Sequence, residues 1–147
     1  MLSQKAKYAL RALLMLAERP PGTMVLAAEI AERQKVPRKF LELILLELKR
    51  DGLLVSQRGR NGGYCLARAP AGISFGQVVR LLDGPLAPLP CASVTAYRRC
   101  ADCHDEHGCH IRLVMRRVRD SMAAILDNAT LADALAGRVG DELLEDA

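Results

Sequence analysis

Two short helices followed by a β-hairpin are predicted in the first half of the chain, and this order constrains the fold more than any other feature. Apolar periodicity predicts helices over about 25–33 and 37–50, joined by the tight connection 34–36. Strand patterns follow at 53–56 and 64–67. The turn between the strands combines glycines and arginines in the run Gln57-Arg58-Gly59-Arg60-Asn61-Gly62-Gly63. A helix-turn-helix alone also fits a helical hairpin of a small bundle, but the adjacent hairpin indicates a winged helix.

A long amphipathic helix is predicted near the end of the chain. Its apolar residues recur at an average spacing of about 3.5 residues, which is typical of a helix that pairs with another helix. This seam consists of Ile111, Met115, Val118, Met122, Ile125 and Ala129. We expect two parallel, dyad-related copies to bury the seam up to Ile125 and to leave Arg112, Arg116 and Arg119 in water. The expected fold is therefore mainly α with a small β-hairpin wing: a winged helix-turn-helix plus a long dimerisation helix.

The pattern divides the chain into four segments. Residues 1–84 are the expected winged helix-turn-helix DNA-binding domain, which ends with a helix that Ser74 begins. Residues 85–110 form an expected cysteine-rich, cluster-binding loop. Residues 111–136 contain the dimerisation helix and a short terminal helix, and residues 137–147 are an acidic tail.

The distribution of charge favours a polyanionic partner for the first half of the chain. The net charge is +4, but residues 1–68 carry 13 basic and 6 acidic side chains, whereas residues 69–147 carry 8 and 11. No apolar run approaches the roughly 20 residues that span a bilayer, and the N-terminus lacks the pattern of a secretory signal. We therefore expect a cytoplasmic protein without a membrane partner. The small number of aromatic residues argues against a surface for stacking unpaired bases.

The helix predicted over 37–50 has two chemically different faces. The apolar face, which belongs in a core, consists of Phe40, Leu41, Ile44, Leu45 and Leu48. The other face would point into a major groove, where Lys39 could donate to guanine, Glu42 could accept from cytosine and Leu43 could contact a thymine methyl group. The alternative is a solvated helix face with stray leucines, and the hairpin beside the helix favours the DNA-reading interpretation.

The predicted hairpin has a basic tip. Arg58 and Arg60 lie on a loop thin enough for a minor groove about 6 Å wide. The neighbouring glycines allow the backbone to approach phosphates closely. The loop lacks the Gly-Lys-Ser/Thr ending of a nucleotide-binding P-loop, which excludes that function. An ordinary turn with solvated arginines remains the alternative.

Cysteine is concentrated in the loop that precedes the long helix. Cys91, Cys100, Cys103 and Cys109 follow the spacing Cys-x8-Cys-x2-Cys-x5-Cys, and the histidines of the chain lie within or beside the same loop. Four thiolates this close in sequence can bind one tetrahedral metal or an iron–sulfur cluster. Cys65 stands apart on a predicted strand, where we expect a small buried apolar side chain.

Three kinds of chemistry are compatible with these cysteines. An iron–sulfur cluster would make the loop a sensor, whereas zinc, bound by four cysteines or by three and a histidine, would only stabilise it because zinc has no redox chemistry. A thiol–disulfide enzyme using Cys100 and Cys103 is disfavoured, since such pairs usually lie at a helix start in a βαβ setting that this pattern lacks. We therefore expect a protein that is not an enzyme.

Several motifs together resemble a known family. The most specific is the wing run Arg58-Gly59 through Gly62-Gly63-Tyr64, and segments 7–13, 36–42 and 130–133 also match, as does the cysteine loop. On these motifs the chain resembles the Rrf2 (Rrf-two) family of bacterial winged-helix transcriptional regulators, which includes IscR and NsrR. The resemblance implies a homodimer on double-stranded, pseudo-palindromic promoter DNA. It also implies an iron–sulfur cluster that senses iron–sulfur status, redox state or nitric oxide. The alternatives are a winged-helix regulator with a structural zinc site and a cluster-independent repressor.

The resemblance also assigns roles to individual residues. It implies base reading by Glu42 and its neighbours and a minor-groove contact by Arg58. The predicted DNA-binding residues are Arg38, Lys39, Glu42, Leu43, Arg58, Arg60 and Asn61. Where the family has, for example, a histidine ligand three residues beyond the last cysteine, this chain has Arg112. The predicted ligands are Cys91, Cys100, Cys103 and Cys109, with a nearby histidine such as His107 or His110 as the alternative to Cys100.

Overall fold

The computed structural model describes residues 2–139, which form a helical protein with one β-hairpin. The helices are α1 (Gln4–Ala17), α2 (Ala27–Gln34), α3 (Arg38–Arg50), α4 (Phe75–Asp83), α5 (His110–Asn128) and α6 (Leu131–Leu135), and the strands are β1 (Leu54–Gln57) and β2 (Gly63–Leu66). Short 3-10 turns lie at Pro70–Gly72 and Pro90–Ala92. The predicted fold class is confirmed. Residues 140–147, most of the predicted acidic tail, lie outside the described part.

The core forms where the apolar faces of the first three helices meet. α3 contributes four side chains with no exposed surface, namely Leu41, Ile44, Leu45 and Leu48. Leu13 of α1 and Ile30 of α2 belong to the same cluster, and Ile73 and Leu131 join it from later in the chain. Burying one such side chain contributes about 1.5–3 kcal/mol. This burial fixes the rotation of α3 about its own axis.

A tight turn joins α2 to α3. Lys35 ends α2 in the left-handed conformation, with φ 54° and ψ 47°, and Val36 N–H donates to the Ala31 carbonyl oxygen at 3.0 Å. Pro37 is the N-cap of α3, whereas the sequence predicted it within the first helical turn. Either position suits proline, because the first N–H groups of a helix have no intrahelical acceptor. The turn therefore places α3 directly after α2.

The hairpin is attached to the start of α2. β1 and β2 pair antiparallel, with Val55 opposite Cys65. Val25 forms a bridge to Tyr64 through reciprocal backbone hydrogen bonds of 2.9 and 2.8 Å. Gly63 permits this close approach, because it has φ +129° and a Cβ at this position would collide with the Val25 carbonyl group. The hairpin is thus held beside the two helices that precede it.

The last two helices return to the winged-helix core. The Ser74 hydroxyl caps α4, as the sequence predicted. The segment around Ser74 also pairs with the connection between α5 and α6. Phe75 N–H donates to the Ala129 carbonyl oxygen at 2.8 Å, and Leu131 N–H donates to the Ile73 carbonyl oxygen at 3.0 Å. These backbone bonds fix the end of α5 to the start of α4.

α5 packs on α4 and on the 3-10 turn Pro90–Ala92, and it leaves an apolar stripe exposed. The stripe consists of Ile111, Val114, Val118, Met122 and Ile125. Val114 occupies the place that the predicted seam gave to Met115, which is half-buried.

Neither α5 nor any other helix within residues 2–139 has the length and apolar character needed to cross a bilayer.

Two arginines of α5 differ from the prediction. Arg112 is half-buried, and the side chain of Arg119 is only 19% exposed, so the expectation that both remain in water is wrong. Arg116 is exposed, as predicted. The physical reason is that a 3.5-residue repeat identifies apolar ridges without telling which face the helix turns toward its own chain.

Candidate DNA-binding surface and cysteine loop

The face of α3 opposite the core is exposed and chemically mixed. Lys39 and Glu42 are exposed, and 60% of the Leu43 surface and 37% of the Leu46 surface remain accessible. Arg38 Nε lies 3.1 Å from Glu42 Oε1, which forms an ion pair one helical turn apart. Exposed pairs of this kind contribute only about 0.3–0.5 kcal/mol. Arg38 can therefore exchange this contact for a phosphate, and Glu42 for a donor on a base, at little cost.

The hairpin tip lies across an open cleft from this face. Arg58, Arg60 and Asn61 are all exposed. Arg38, Glu42 and Lys49 of α3 line the same cleft as Arg58. The structure thus brings Arg58 together with predicted residues of α3, while Arg60 and Asn61 lie at the outer end of the loop. Lys49 was not among the predicted residues, although its spacing of seven residues from Glu42 places it on the same helix face.

The cysteine loop brings two of its four sulfurs together. Cys91 is buried in the 3-10 turn, and its Sγ lies 3.7 Å from Cys100 Sγ. The neighbouring Cys91 sulfur raises the pKa of the Cys100 thiol. Cys103 is one turn away, with its N–H donating to the Cys100 carbonyl oxygen at 3.2 Å. Cys109 is the N-cap of α5, and its Sγ accepts from the N–H of Arg112 at 3.5 Å.

The donor set fits a metal site in part. Two thiolates on one tetrahedral metal at about 2.3 Å lie about 3.8 Å apart, which matches the separation of Cys91 and Cys100. Within residues 2–139, however, no three His, Cys, Asp or Glu side chains converge on a common point. Glu106 Oε1, in the same loop, is buried without a hydrogen-bond partner among the described residues. Such an orphaned acceptor costs about 1–3 kcal/mol, so this loop conformation leaves one polar group unsatisfied.

The side chain of Arg112, in the first turn of α5, contacts the cysteine loop at several points, although the sequence pattern predicted it to be in water. Its Nε donates to the Cys91 carbonyl oxygen at 3.1 Å, and its Nη1 donates to the Glu106 carbonyl oxygen at 3.5 Å. The guanidinium carbon lies 6.0 Å from the centre of the Tyr97 ring, within the range of a cation–π contact. Arg112 therefore joins the first turns of α5 to the segment that carries Cys91.

The remaining candidates lie away from this cluster. His104, His107 and His110 are exposed, and none of them belongs to a group of potential metal ligands within the described residues. Cys65 is buried on β2 with only 7% of its surface exposed. Its burial agrees with the small apolar role expected from the sequence.

Comparison with known proteins places this architecture in one family. The profile of the Rrf2 family, described as an iron-dependent transcriptional regulator, matches residues 2–137. A Rhodobacter capsulatus regulator described as HTH-type and rrf2-like is 49% identical, covering 99% of this chain and 100% of the relative. The Mycobacterium tuberculosis HTH-type regulator Rv1287 is 36% identical, covering 98% of this chain and 86% of the relative. The chain belongs to the Rrf2 family.

Two solved structures of regulators share the fold. The Bacillus subtilis regulator CymR, described as the global cysteine regulator, aligns with a TM-score of 0.76 and 28% identity, covering 92% of this chain and 96% of that one. IscR from T. potens aligns with a TM-score of 0.74 and 31% identity, covering 93% and 87%. The protein is therefore a transcriptional regulator of the Rrf2 family, and its relatives are regulators, not enzymes.

In this Rrf2 regulator a bidentate ion pair connects α5 to the winged helix. Arg80 of α4 binds Asp127 of α5 through two contacts of 2.5 and 2.9 Å. The hydrogen bonds between the two side chains lower the pKa of Asp127 and raise that of Arg80. Gly76 lies directly beneath the carboxylate, because a Cβ at this position would collide with Asp127. The pair therefore depends on a close approach of the two helices.

Asp127→Asn is expected to remove a stabilising contribution that depends on pH. The pKa of Asp127 is lower in the folded chain than its ordinary value, so the pair stabilises the fold above that value. The contribution disappears as the pH falls through the folded-state pKa. Because both side chains remain partly in water, we expect a loss of about 0.5–1 kcal/mol at pH 7 and a much smaller loss at pH 3.

Urea unfolding of the wild type and the variant at the two pH values measures this difference. Asp120→Asn is the matched control, since Asp120 pairs with its neighbour Arg119 on the same helix. A loss of stability for Asp127→Asn that is equal at both pH values would contradict the prediction.

Proposed function

We propose that this Rrf2 regulator binds pseudo-palindromic promoter DNA as a homodimer and senses through an iron–sulfur cluster held by its cysteine loop. The observation that carries the DNA-binding half is the exposed face of α3, which presents Lys39, Glu42 and Leu43 and shares a cleft with Arg58 of the hairpin through Glu42. The observation that carries the sensing half is the cysteine loop, in which Cys91 and Cys100 already have the separation of two ligands of one metal. A regulator of promoters acts on the chromosome, so the proposal places the protein in the cytoplasm.

Each group on the exposed surface has a chemical role in this proposal. Lys39 donates to guanine, Glu42 accepts from cytosine N4 and Leu43 contacts a thymine methyl group in the major groove. Arg58 enters the adjacent minor groove, where narrow A·T-rich sequences have the most negative potential. Arg38, Arg60, Asn61 and Lys49 reach phosphates or sugars, which fix the position of the protein without reading sequence.

The exposed stripe of α5 is the proposed dimer interface. Removing these apolar side chains from water is favourable. A second copy of the same stripe, related by a two-fold axis, would bury them. A two-fold dimer would carry two α3 helices to successive major grooves. The operator would then be a pseudo-palindrome with half-site centres separated by one or more helical turns of roughly 10 base pairs.

The proposed ligand set consists of Cys91, Cys100, Cys103 and Cys109. When bound, the cluster would supply a group whose oxidation state or integrity changes with iron supply, oxygen or nitric oxide. To bind the cluster, the loop would have to bring Cys103 and Cys109 toward Cys91 and Cys100. Because Cys109 is the N-cap of α5, this movement would involve the start of that helix. Zinc is the second candidate, because the separation of Cys91 and Cys100 suits tetrahedral zinc equally well.

A continuous series of contacts offers a route from the loop to α3. Arg112 joins Cys91 to α5, and the Arg80–Asp127 pair joins α5 to α4. Asp83 at the end of α4 accepts from the backbone and hydroxyl of Ser3, which caps α1. Lys5 of α1 then pairs with Glu47 of α3 at 2.6 Å. In this proposal a movement of the start of α5 shifts these packed helices and so changes the affinity for DNA. The mechanism requires that the metal-bound and metal-free states differ in their affinity for DNA.

Glu42→Ala is expected to relax discrimination at one base position in each half-site. The loss should amount to about 1–3 kcal/mol for the preferred base, because cytosine N4 loses its acceptor. Binding to duplexes that carry every single-base change of a bound promoter site, at one salt concentration, measures this loss. Asp120→Ala removes an exposed carboxylate from α5 and should leave all base preferences unchanged. Equal weakening on every sequence would mean that Glu42 does not read a base.

Met122→Asp is expected to convert the dimer into a monomer. The substitution places a carboxylate within the apolar stripe, where desolvation of the charge opposes association. Leu113→Asp is the matched control, since Leu113 is an exposed apolar residue of α5 outside the stripe. Sedimentation velocity of both variants decides the question, and a Met122→Asp protein that remains dimeric would exclude this interface.

Single Cys→Ser variants purified without oxygen test the ligand set. Loss of colour and iron is expected for changes at Cys91, Cys103 and Cys109, while Cys65→Ser should behave as the wild type. A Cys100→Ser protein with full iron and an unchanged spectrum would remove Cys100 and favour a histidine. Stoichiometric zinc without iron in the wild type and in every variant would replace the cluster by the zinc site.

A further inference from the structure

We propose that Cys91 and Cys100 of the metal-free protein form a reversible disulfide when exposed to a peroxide, and that this bond prevents metal from entering the loop. The oxidation itself rests on the geometry of the two sulfurs. The effect on metal entry rests on the proposed function, because it assumes that both residues are ligands.

The loop holds these two sulfurs as a pair. Their separation of 3.7 Å needs to shorten by less than 2 Å to reach a disulfide bond of about 2.05 Å. The Cys100 thiol is directed at Cys91, although Cys103 is much nearer in sequence. The favoured partner of Cys100 is therefore Cys91.

Packing around the pair holds one sulfur still while the other remains accessible. Cys91 is only 5% exposed, and its carbonyl group is bound by Arg112. Cys100 is partly exposed and lies in an irregular segment with no helical or strand bonds of its own. A small oxidant from solvent therefore reaches Cys100 first, and Cys91 is already in place to complete the bond.

The reaction is balanced with hydrogen peroxide as the oxidant. The Cys100 sulfur attacks one peroxide oxygen, which breaks the O–O bond, gives a sulfenic acid and releases water. The Cys91 sulfur then attacks the Cys100 sulfur, which forms the S–S bond and releases the second water. Each sulfur loses one electron overall, and the two peroxide oxygens gain them. A small thiol such as glutathione reverses the reaction by exchange and leaves as its own disulfide.

The consequence for the loop is the loss of two donors at once. A metal requires thiolates, and a disulfide offers none at Cys91 or Cys100. Cys103 and Cys109 alone cannot complete a four-ligand site, and no histidine of the described residues converges with them on a common point. The oxidised protein should therefore remain metal-free until a thiol reduces it.

The experiment uses the full chain, stripped of metal by a chelator under reducing conditions and then freed of reductant without oxygen. One equivalent of hydrogen peroxide should lower the free thiols from five to three and the mass by about 2 Da, the two hydrogens released as the disulfide forms. Digestion with trypsin and a protease that cleaves before aspartate separates Cys100 from Cys103, so mass spectrometry identifies the linked pair.

Cys100→Ser and Cys91→Ser should each abolish this linkage, whereas Cys65→Ser and Cys103→Ser should retain it. A Cys103–Cys109 or Cys100–Cys103 linkage in the wild type, or five remaining thiols, would overturn the proposal.

A second measurement addresses metal entry. Zinc added to the oxidised wild type should bind with less than a tenth of the stoichiometry found for the reduced protein, and glutathione should restore it. Full zinc binding by the oxidised protein would overturn the effect on metal entry. Anaerobic reconstitution with iron and sulfide separates the two hypotheses. If the protein forms the disulfide but never binds a cluster, this inference stands and the iron–sulfur sensor is refuted. If it binds a cluster but never forms the disulfide, the sensor stands and this inference is refuted.

Discussion

The complete burial of one face of α3 is the constraint on which the DNA-binding surface depends. Leu41, Ile44, Leu45 and Leu48 have no exposed surface. Turning the helix by one residue, about 100°, would bring these side chains into water at a cost of about 1.5–3 kcal/mol each. Packing of the apolar face in the core is therefore sufficient to keep the opposite face of α3 exposed. This explains why Leu43 and Leu46 remain 60% and 37% exposed on the same helix that buries four other side chains completely.

The parts of the fold that follow from local periodicity could be predicted from the sequence. The two faces of α3, the tight turn after α2 and the hairpin all depend on neighbours within a few positions along the chain. The hairpin is the clearest case, because the glycines of its turn predicted it and Gly63 has a positive φ. The contact with Val25 could not be predicted, since it joins residues far apart in sequence.

The candidate site was predictable in composition but not in arrangement. The spacing of the cysteines identifies four sulfurs without telling which of them meet. Cys91, whose sulfur meets that of Cys100, is also bound through its carbonyl group by Arg112, which lies 21 residues further along the chain on α5. Arg112 is therefore half-buried, and Val114 rather than Met115 belongs to the exposed stripe of α5. A pattern of apolar residues on one helix contains no information about such a contact.

The location of the cysteine loop at one end of α5 has a mechanical consequence. The helix has 19 residues, which corresponds to a length of about 28 Å. One end contacts Cys91 through Arg112, and the other binds α4 through Asp127. A rigid helix fixed at both ends transmits a displacement of its start to the winged helix, and the exposed stripe between these ends would transmit it to a second copy.

The contacts at the loop have free energies of the order that the proposed regulation would need. A hydrogen bond to a charged group contributes about 1.5–3 kcal/mol when protected from water, and somewhat less when half-buried like Arg112. A tenfold change in DNA affinity needs about 1.4 kcal/mol. In the proposed function, drawing Cys91 into a metal site or a disulfide would change the segment whose carbonyl group Arg112 binds. The free energy of this contact would then be of the same order as the one that a tenfold change needs. The shift alters DNA binding only if the two states hold the α3 helices differently, because a ligand with equal affinity for both states changes nothing.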